Sequence, residues 1–98
     1  MEIKKKIDGN KLIVELIGRL DTNTSPEFEK EINENINEIS QLTLDFKELN
    51  YISSAGLRVI LSLQKIMNKQ GDMIIINPND MIMEIFDSTG FERVLTIK

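Results

Sequence analysis

The amino-acid sequence predicts an α/β domain in which helices pack on a mixed β-sheet. The tripeptide Asp8-Gly9-Asn10 is a turn signal between two strand-like runs, Glu2 to Ile7 and Lys11 to Ile17. Further along, short apolar runs alternate with segments whose apolar residues recur at helical spacing. The predicted order is therefore β-β-α-β-α-β-α-β. The opening pair forms an antiparallel hairpin, and the later strand–helix–strand connections imply parallel neighbours with right-handed crossovers.

The second strand and the first helix follow from their side chains. Branched residues between Lys11 and Ile17 predict a mostly buried strand that ends at Gly18. A polar loop then leads into Pro26, which suits the first turn of a helix. Either Thr24 and Glu27 form a capping box, or Ser25 caps the helix. The helix presents one apolar stripe, made of Phe28, Ile32, Ile36 and Ile39.

The middle of the chain predicts a strand, a loop and a second helix. Leu42 to Phe46 alternates like a strand, and Lys47 to Ile52 is expected to be a loop. Ser53 and Ser54 can cap the helix that follows, and Gly71 with Asp72 stops it. Its main apolar face consists of Gly56, Val59, Ile60, Leu63, Ile66 and Met67.

The last part of the chain completes the predicted pattern. Met73 to Ile76 is a continuous apolar run, typical of a strand buried on both faces. Met81 to Phe86 predicts a short helix, in which Met81 and Met83 cannot both face inward. Gly90 can end this helix or its loop in a left-handed conformation, and Val94 to Ile97 is predicted as a final strand.

Length, charge and residue usage narrow the classes of function. The 98 residues suffice for one domain, taken as 1–98, which we expect to be a monomer. A net charge of −4 argues against direct nucleic-acid binding. The apolar runs are too short for membrane insertion, so a cytoplasmic location is expected. Without histidine or cysteine, and without a phosphate-binding glycine loop, we expect no metal, no cofactor and no enzyme activity.

Ser54 is the residue best placed to carry a signal. It lies at a helix start that follows a predicted strand, where backbone N–H groups are unpaired and a phosphate is well tolerated. The alternative is that Ser53 and Ser54 are only helix caps. A catalytic serine is disfavoured, because the chain has no histidine base and Ile52 replaces the glycine of a nucleophile elbow.

Leu57 and Leu61 fall off the main apolar face of the second helix. They either pack on a neighbouring helix or form an exposed apolar patch beside Ser54. In the second case the patch would be a contact for a partner protein.

Three segments together resemble a known family. Between Leu44 and Leu61, the sequence is similar to the signature of STAS domains, the bacterial anti-sigma factor antagonists, around Ser53-Ser54-Ala55-Gly56-Leu57. An earlier segment resembles the family's Gly-x-Leu-Asp loop, namely Gly18-Arg19-Leu20-Asp21-Thr22-Asn23-Thr24. A later one resembles its closing helix and turn, namely Ile85-Phe86-Asp87-Ser88-Thr89-Gly90-Phe91.

The resemblance implies a partner-switching function: the unmodified domain binds an anti-sigma factor and so frees a sigma factor, and phosphorylation ends the binding. The family's phosphorylated serine falls on Ser54, with Ser53 as second choice because it replaces the motif's acidic residue. The implied partners are an anti-sigma factor that is a serine kinase of the histidine-kinase-like ATPase class, and a PP2C-type phosphatase. A second function on the same fold is an accessory subunit of a membrane transport complex. The partner surface implied is Asp21, Thr22, Asn23, Ser53, Ser54, Gly56, Leu57, Arg58 and Leu61.

Overall fold

The structure is a computed structural model that describes residues 1 to 98. Its strands are β1 Glu2–Asp8, β2 Lys11–Leu20, β3 Gln41–Ile52 and β4 Asp72–Ile76. Its helices are α1 Ser25–Asn33, α2 Ser54–Asn68 and α3 Asp80–Thr89, with 3₁₀ turns at Ile36–Glu38 and Phe91–Arg93. The sheet has the order β1-β2-β3-β4, in which β1 and β2 are antiparallel and the other pairs parallel. The predicted α/β class with a mixed sheet is confirmed.

The hairpin is as predicted, and its first strand is an exposed edge strand. Asp8 pairs with Lys11 across the two-residue loop Gly9-Asn10, and Gly9 has a φ of +62°, which glycine adopts without Cβ strain. β1 lies at the sheet edge, where lysines discourage pairing with other chains. Lys5 has a further role, because its Nζ lies 2.9 Å from Glu31 Oε2 and links the edge strand to α1.

All three helices pack on the same face of the sheet. The crossovers always step in one direction, from β2 to β3 to β4, and right-handed crossovers of that kind place their helices on one side. α3 lies on this side too, because the ring centroids of Phe46 and Phe86 are 6.5 Å apart. The core face of the sheet is built by Leu12, Val14, Leu16, Leu42, Leu44, Phe46, Met73 and Ile75.

The opposite face of the sheet is open, which corrects two expectations. β2 was expected to be mostly buried and β4 to be buried on both faces. Instead, Ile13 is 39% exposed, and Ile74 and Ile76 are half-buried. The branched residues fit the pleated strand whether or not a second layer covers them. The sequence pattern therefore indicated strands correctly but overestimated their burial.

β2 and β3 both continue beyond their predicted ends. Gly18 does not stop β2, and Lys47 to Ile52 is strand rather than loop. The register shifts between Glu15 and Ile17, and again between Gly18 and Arg19, and each shift leaves one extra residue in β3. Such bulges break the alternation of apolar and polar residues. This is why the segment looked like a loop in the sequence.

The first helix is shorter than its apolar stripe suggested. α1 ends at Asn33, and the stripe continues through a 3₁₀ turn and an extended residue, with Ile36 and Ile39 still buried. Neither predicted cap forms at its start: the N-cap position is Thr24, whose side chain makes no cap hydrogen bond. Gln70 Nε2 donates to the carbonyls of Ile36 and Ile39, so the residues just after α2 hold the segment that follows α1.

The C-terminal segment contains the last correction. α3 is longer than predicted, and Gly90 ends it in the left-handed conformation, with a φ of +78°. Met81 is 46% exposed and Met83 is partly buried, as their spacing required. The predicted strand from Val94 to Ile97 is reduced to one parallel bridge, between Ile97 and Ile75 of β4. The amides of Val94 and Leu95 donate to the Phe91 carbonyl, so a turn replaces the first half of the predicted strand.

Candidate functional site

The loop between β2 and α1 is fixed by its own side chains. Asp21 Oδ1 accepts hydrogen bonds from the backbone amides of Asn23 at 3.0 Å and Thr24 at 3.1 Å. The Thr24 hydroxyl donates to the carbonyl of Arg19 and accepts from the amide of Asp21, both at 2.8 Å. The hydrogen bonds to the Asp21 carboxylate, led by the one from the Thr24 amide, lower the pKa of Asp21 below its ordinary value. The loop therefore presents a carboxylate in a defined position.

The start of α2 gives its two serines different surroundings. Ser53 is the N-cap, and its Oγ accepts a hydrogen bond of 3.4 Å from the amide of Gly56. Its own amide donates to the carbonyl of Leu20 at 2.9 Å, which attaches the helix start to the end of β2. Ser54 is the first helical residue and is exposed. Of the two serines that the sequence offered as caps, only Ser53 is the N-cap.

Gly56 is needed where α2 crosses the ends of β2 and β3. A Cβ at this position would lie 2.8 Å from Cγ of Leu20 and 3.0 Å from Cγ1 of Ile52. Contacts that short force neighbouring atoms to move. The glycine thus allows the helix start, with Ser54, to sit close against the two strand ends.

A shallow groove lies between α1 and α2 beside the serines. It has a volume of about 250 Å³ and includes Thr22 from the loop, Glu29 from α1, and Ala55 and Arg58 from α2. The loop Asp21 to Ser25 and the start of α2 therefore lie side by side, as the implied partner surface requires. The groove is open to solvent, so it offers a contact surface and no enclosed reaction site.

The structure separates the expected surface residues into two groups. Thr22, Asn23, Ser54 and Arg58 are exposed, while Asp21 and Ser53 are half-buried. Gly56 is buried and Leu57 is only 7% exposed. Gly56 and Leu57 therefore lie beneath the surface and support it. The prediction of an exposed patch is wrong for Leu57, because its side chain packs in the core. Leu61 is half-buried.

Sequence reasoning missed one pair of residues next to this surface. Arg19 of β2 and Tyr51 of β3 are direct neighbours across the strands, and the guanidinium carbon lies 4.4 Å from the ring centroid. The pairing depends on the second bulge in β3, which shifts the register between Gly18 and Arg19. No local pattern in the sequence reports that shift.

Other parts of the molecule offer little for chemistry. A second cavity, of about 430 Å³, lies where β3 and β4 begin and is lined mainly by amide, hydroxyl and backbone groups. The structure contains no cluster of three or more acidic, histidine or cysteine side chains that could hold a metal ion. No helix combines the length and apolar character that crossing a bilayer requires. The surface around Ser54 remains the best-defined candidate site.

Comparison with known proteins shows the family of this chain. The STAS domain family model matches residues 2–98. An anti-sigma F factor antagonist of Paenibacillus polymyxa is 33% identical over 89 residues, covering 88% of this chain and 76% of that protein. The chain therefore belongs to the STAS domain family.

Solved structures show the same fold at low sequence identity. The anti-sigma factor antagonist SpoIIAA in its unphosphorylated form matches with a TM-score of 0.80 and 17% identity, covering 99% of this chain and 87% of that one. The phosphorylated form of SpoIIAA, described as a Bacillus cell fate determinant, matches with a TM-score of 0.78 and 17% identity, covering 99% and 91%. The fold described above is thus the SpoIIAA fold.

Proposed function

We propose that this protein is an anti-sigma factor antagonist that works by partner switching. Its unphosphorylated form binds an anti-sigma factor and releases a sigma factor, and phosphorylation of Ser54 ends the binding. The observation that carries the proposal is the exposed Ser54 at the first residue of α2, beside the ordered Asp21 loop. The name of the Paenibacillus relative supports the same function.

The helix start suits a reversible phosphate. At an α-helix N-terminus the first backbone amides lack intrahelical partners, and the helix dipole favours negative charge. The Gly56 amide donates to the Ser53 hydroxyl, and the Leu57 amide donates to the Ser53 carbonyl. The amides of the first two residues of α2 are therefore left to face a phosphate. A phosphate adds a charge of about −2, which the helix start tolerates but a partner surface fitted to a hydroxyl does not.

Ser53 remains the second choice for modification. Its hydroxyl oxygen is the N-cap acceptor, and it is less exposed than Ser54. A kinase acting on Ser53 would have to remove the cap interaction, which costs about 1 kcal/mol. Ser54 can be modified without that loss.

The proposed cycle defines the partners. The binding partner is an anti-sigma factor that is also a serine kinase of the histidine-kinase-like ATPase class, and a PP2C-type phosphatase restores the free serine. The protein itself is a substrate and a binding module rather than an enzyme, and the cycle takes place in the cytoplasm. It acts as a monomer and contacts no nucleic acid.

The test combines phosphate mapping with binding. Protein from the native host is analysed by intact mass and peptide mapping, and the wild type, Ser54→Ala and Ser54→Asp are tested for binding to the copurified kinase. We expect one phosphate on Ser54, its loss in Ser54→Ala, and binding at least about tenfold weaker for Ser54→Asp, which corresponds to about 1.4 kcal/mol. Ser88→Ala on α3 is the matched control and should be phosphorylated and bound like the wild type.

Other outcomes change the conclusion. Phosphate on Ser53 would preserve the switch and move its site by one residue. The proposal would be wrong if the protein carried no phosphate under any growth condition and copurified with a membrane transport complex. The accessory-subunit function would then take its place.

A further inference from the structure

Arg19 and Tyr51 form an ordered pair at the surface. Tyr51 covers one face of the guanidinium at 4.4 Å, while the Arg19 side chain as a whole is 61% exposed. A cation–π contact of this kind contributes about 0.5–1 kcal/mol at an exposed site. Neither residue belongs to the hydrophobic core. The ring therefore orients the arginine without burying it.

Asp21 lies beside the same guanidinium, at the edge that carries Nε. Arg19 Nε lies 3.6 Å from Asp21 Oδ2, while Oδ1 of the same carboxylate is held by the amides of Asn23 and Thr24. The ring thus covers one face of the guanidinium, and the carboxylate lies next to its Nε. Its two terminal amino groups are left to bind an external acceptor. A planar pair of N–H donors matches a carboxylate in a bidentate way that a lysine cannot reproduce.

The pair is continuous with the surface around Ser54. Arg19 and Tyr51 come immediately before Leu20 and Ile52, and the Leu20 carbonyl accepts the Ser53 amide at 2.9 Å. The pair and the exposed serine therefore lie at the same ends of β2 and β3. Arginine and tyrosine are also the residue types that most often dominate binding energy at protein interfaces.

We propose that Arg19, oriented by Tyr51 and Asp21, binds a carboxylate side chain of the anti-sigma factor kinase and so helps to select this partner. This inference rests on the function proposed above, because it names the same partner. It also gives the switch a physical cause: a phosphate on Ser54 places negative charge at the same end of the molecule and repels that carboxylate. Binding and release would then depend on one electrostatic contact area.

Binding measurements with arginine variants test the proposal. Arg19→Lys keeps the charge but loses the planar pair of donors, and Arg19→Gln loses both. With the unphosphorylated protein and the purified kinase, we expect binding about tenfold weaker for Arg19→Lys and up to about 100-fold weaker for Arg19→Gln, since charge-assisted hydrogen bonds contribute about 1.5–3 kcal/mol. Arg93→Gln, at an exposed arginine in the 3₁₀ turn after α3, is the control and should bind like the wild type.

Salt dependence separates this contact from a structural effect. Added NaCl should weaken wild-type binding more than Arg19→Gln binding, because only the wild type retains the screened ion pair. Arg93→Gln should unfold at the wild-type temperature, and the Arg19 variants within about 8 °C of it, because they lose only the contact with Tyr51 and the exposed ion pair. Undiminished binding by Arg19→Gln, or equal salt dependence of the two proteins, overturns this inference and leaves the proposed function intact. Failure of the wild type to bind any kinase of this class overturns both.

Discussion

Ser53 and Ser54 are adjacent in sequence but occupy different positions in the structure. Ser53 caps α2 and anchors it to the end of β2, whereas Ser54 begins the helix and faces solvent. Local hydrogen bonding therefore assigns one serine to structure and leaves the other for modification. The same division holds in the neighbouring loop, where Thr24 uses its hydroxyl internally and Thr22 and Asn23 are exposed.

Asp21 makes the stability of this loop depend on pH. Its folded-state pKa lies below the ordinary value near 3.8, so the ionised form is the one that stabilises the fold. This contribution is present above the unfolded-state pKa and is lost as the pH falls through the folded-state pKa. We expect NMR titration to give the Asp21 carboxyl a pKa below its ordinary value. In Asp21→Asn, the free energy of unfolding should fall less steeply than in the wild type as the pH drops below about 4. If the free energy of unfolding of the variant fell as steeply at acid pH as that of the wild type, this assignment would be wrong.

At the scale of elements, the connections position the helices through close backbone contacts. After α2, the Asp72 amide donates to the Ser40 carbonyl at 2.9 Å, which joins the start of β4 to the residue before β3. Gly71 makes this approach possible. A Cβ there would overlap the carbonyl oxygen of Ser40 and lie 2.6 Å from its carbonyl carbon. Gly9 serves a different purpose, since its left-handed backbone lies in open space.

The two glycines should respond differently to alanine. We expect Gly71→Ala to lower the free energy of unfolding by about 3 kcal/mol, because backbone atoms must separate to admit the methyl group. Gly9→Ala causes no clash and strains only the left-handed backbone, so it should lower the free energy of unfolding by about 1–2 kcal/mol. Denaturant unfolding of both variants measures the difference. A loss for Gly71→Ala no larger than that for Gly9→Ala would mean that the backbone at Ser40 and Gly71 moves apart more easily than these contacts imply.

At the scale of the whole molecule, one layer of helices covers one face of the sheet. The core on that face contains 23 buried hydrophobic residues from strands, helices and connections. α3 joins this core through Ile82 and Phe86, both fully buried, and through the ring contact with Phe46. Asn79, the N-cap of α3, also donates its side-chain amide to the Leu49 carbonyl at 3.2 Å. The C-terminal helix is thus part of the same cooperative unit as the sheet.

Truncation of Phe86 should therefore destabilise the entire fold. We expect Phe86→Ala to lower the free energy of unfolding by about 3–5 kcal/mol, the usual cost of removing a buried aromatic ring. Met81→Ala, on the exposed side of the same helix, should change it by less than about 0.5 kcal/mol. Thermal or denaturant unfolding followed by circular dichroism provides the measurement. A local loss of α3 with an unchanged main transition would show that α3 unfolds separately.

The sequence by itself determined the features that depend on neighbouring residues. The hairpin turn at Gly9, the start of α2 at Ser54 and its family signature, and the end of α3 at Gly90 could all be recognised locally. The reason is that turn residues, caps and the strand and helix periods act over a few residues only. The mixed sheet followed from the order of these elements.

The tertiary structure decided which faces are covered and which distant residues meet. Nothing local distinguishes Leu57, which is buried, from Leu61, which is half-buried, because their exposure depends on elements from elsewhere in the chain. Bulges in β3 set the register that brings Arg19 beside Tyr51, and Gln70 donates to the carbonyls of Ile36 and Ile39, which are distant in sequence. Burial, register and long-range hydrogen bonds are properties of the packed chain, so they appear only when the elements come together.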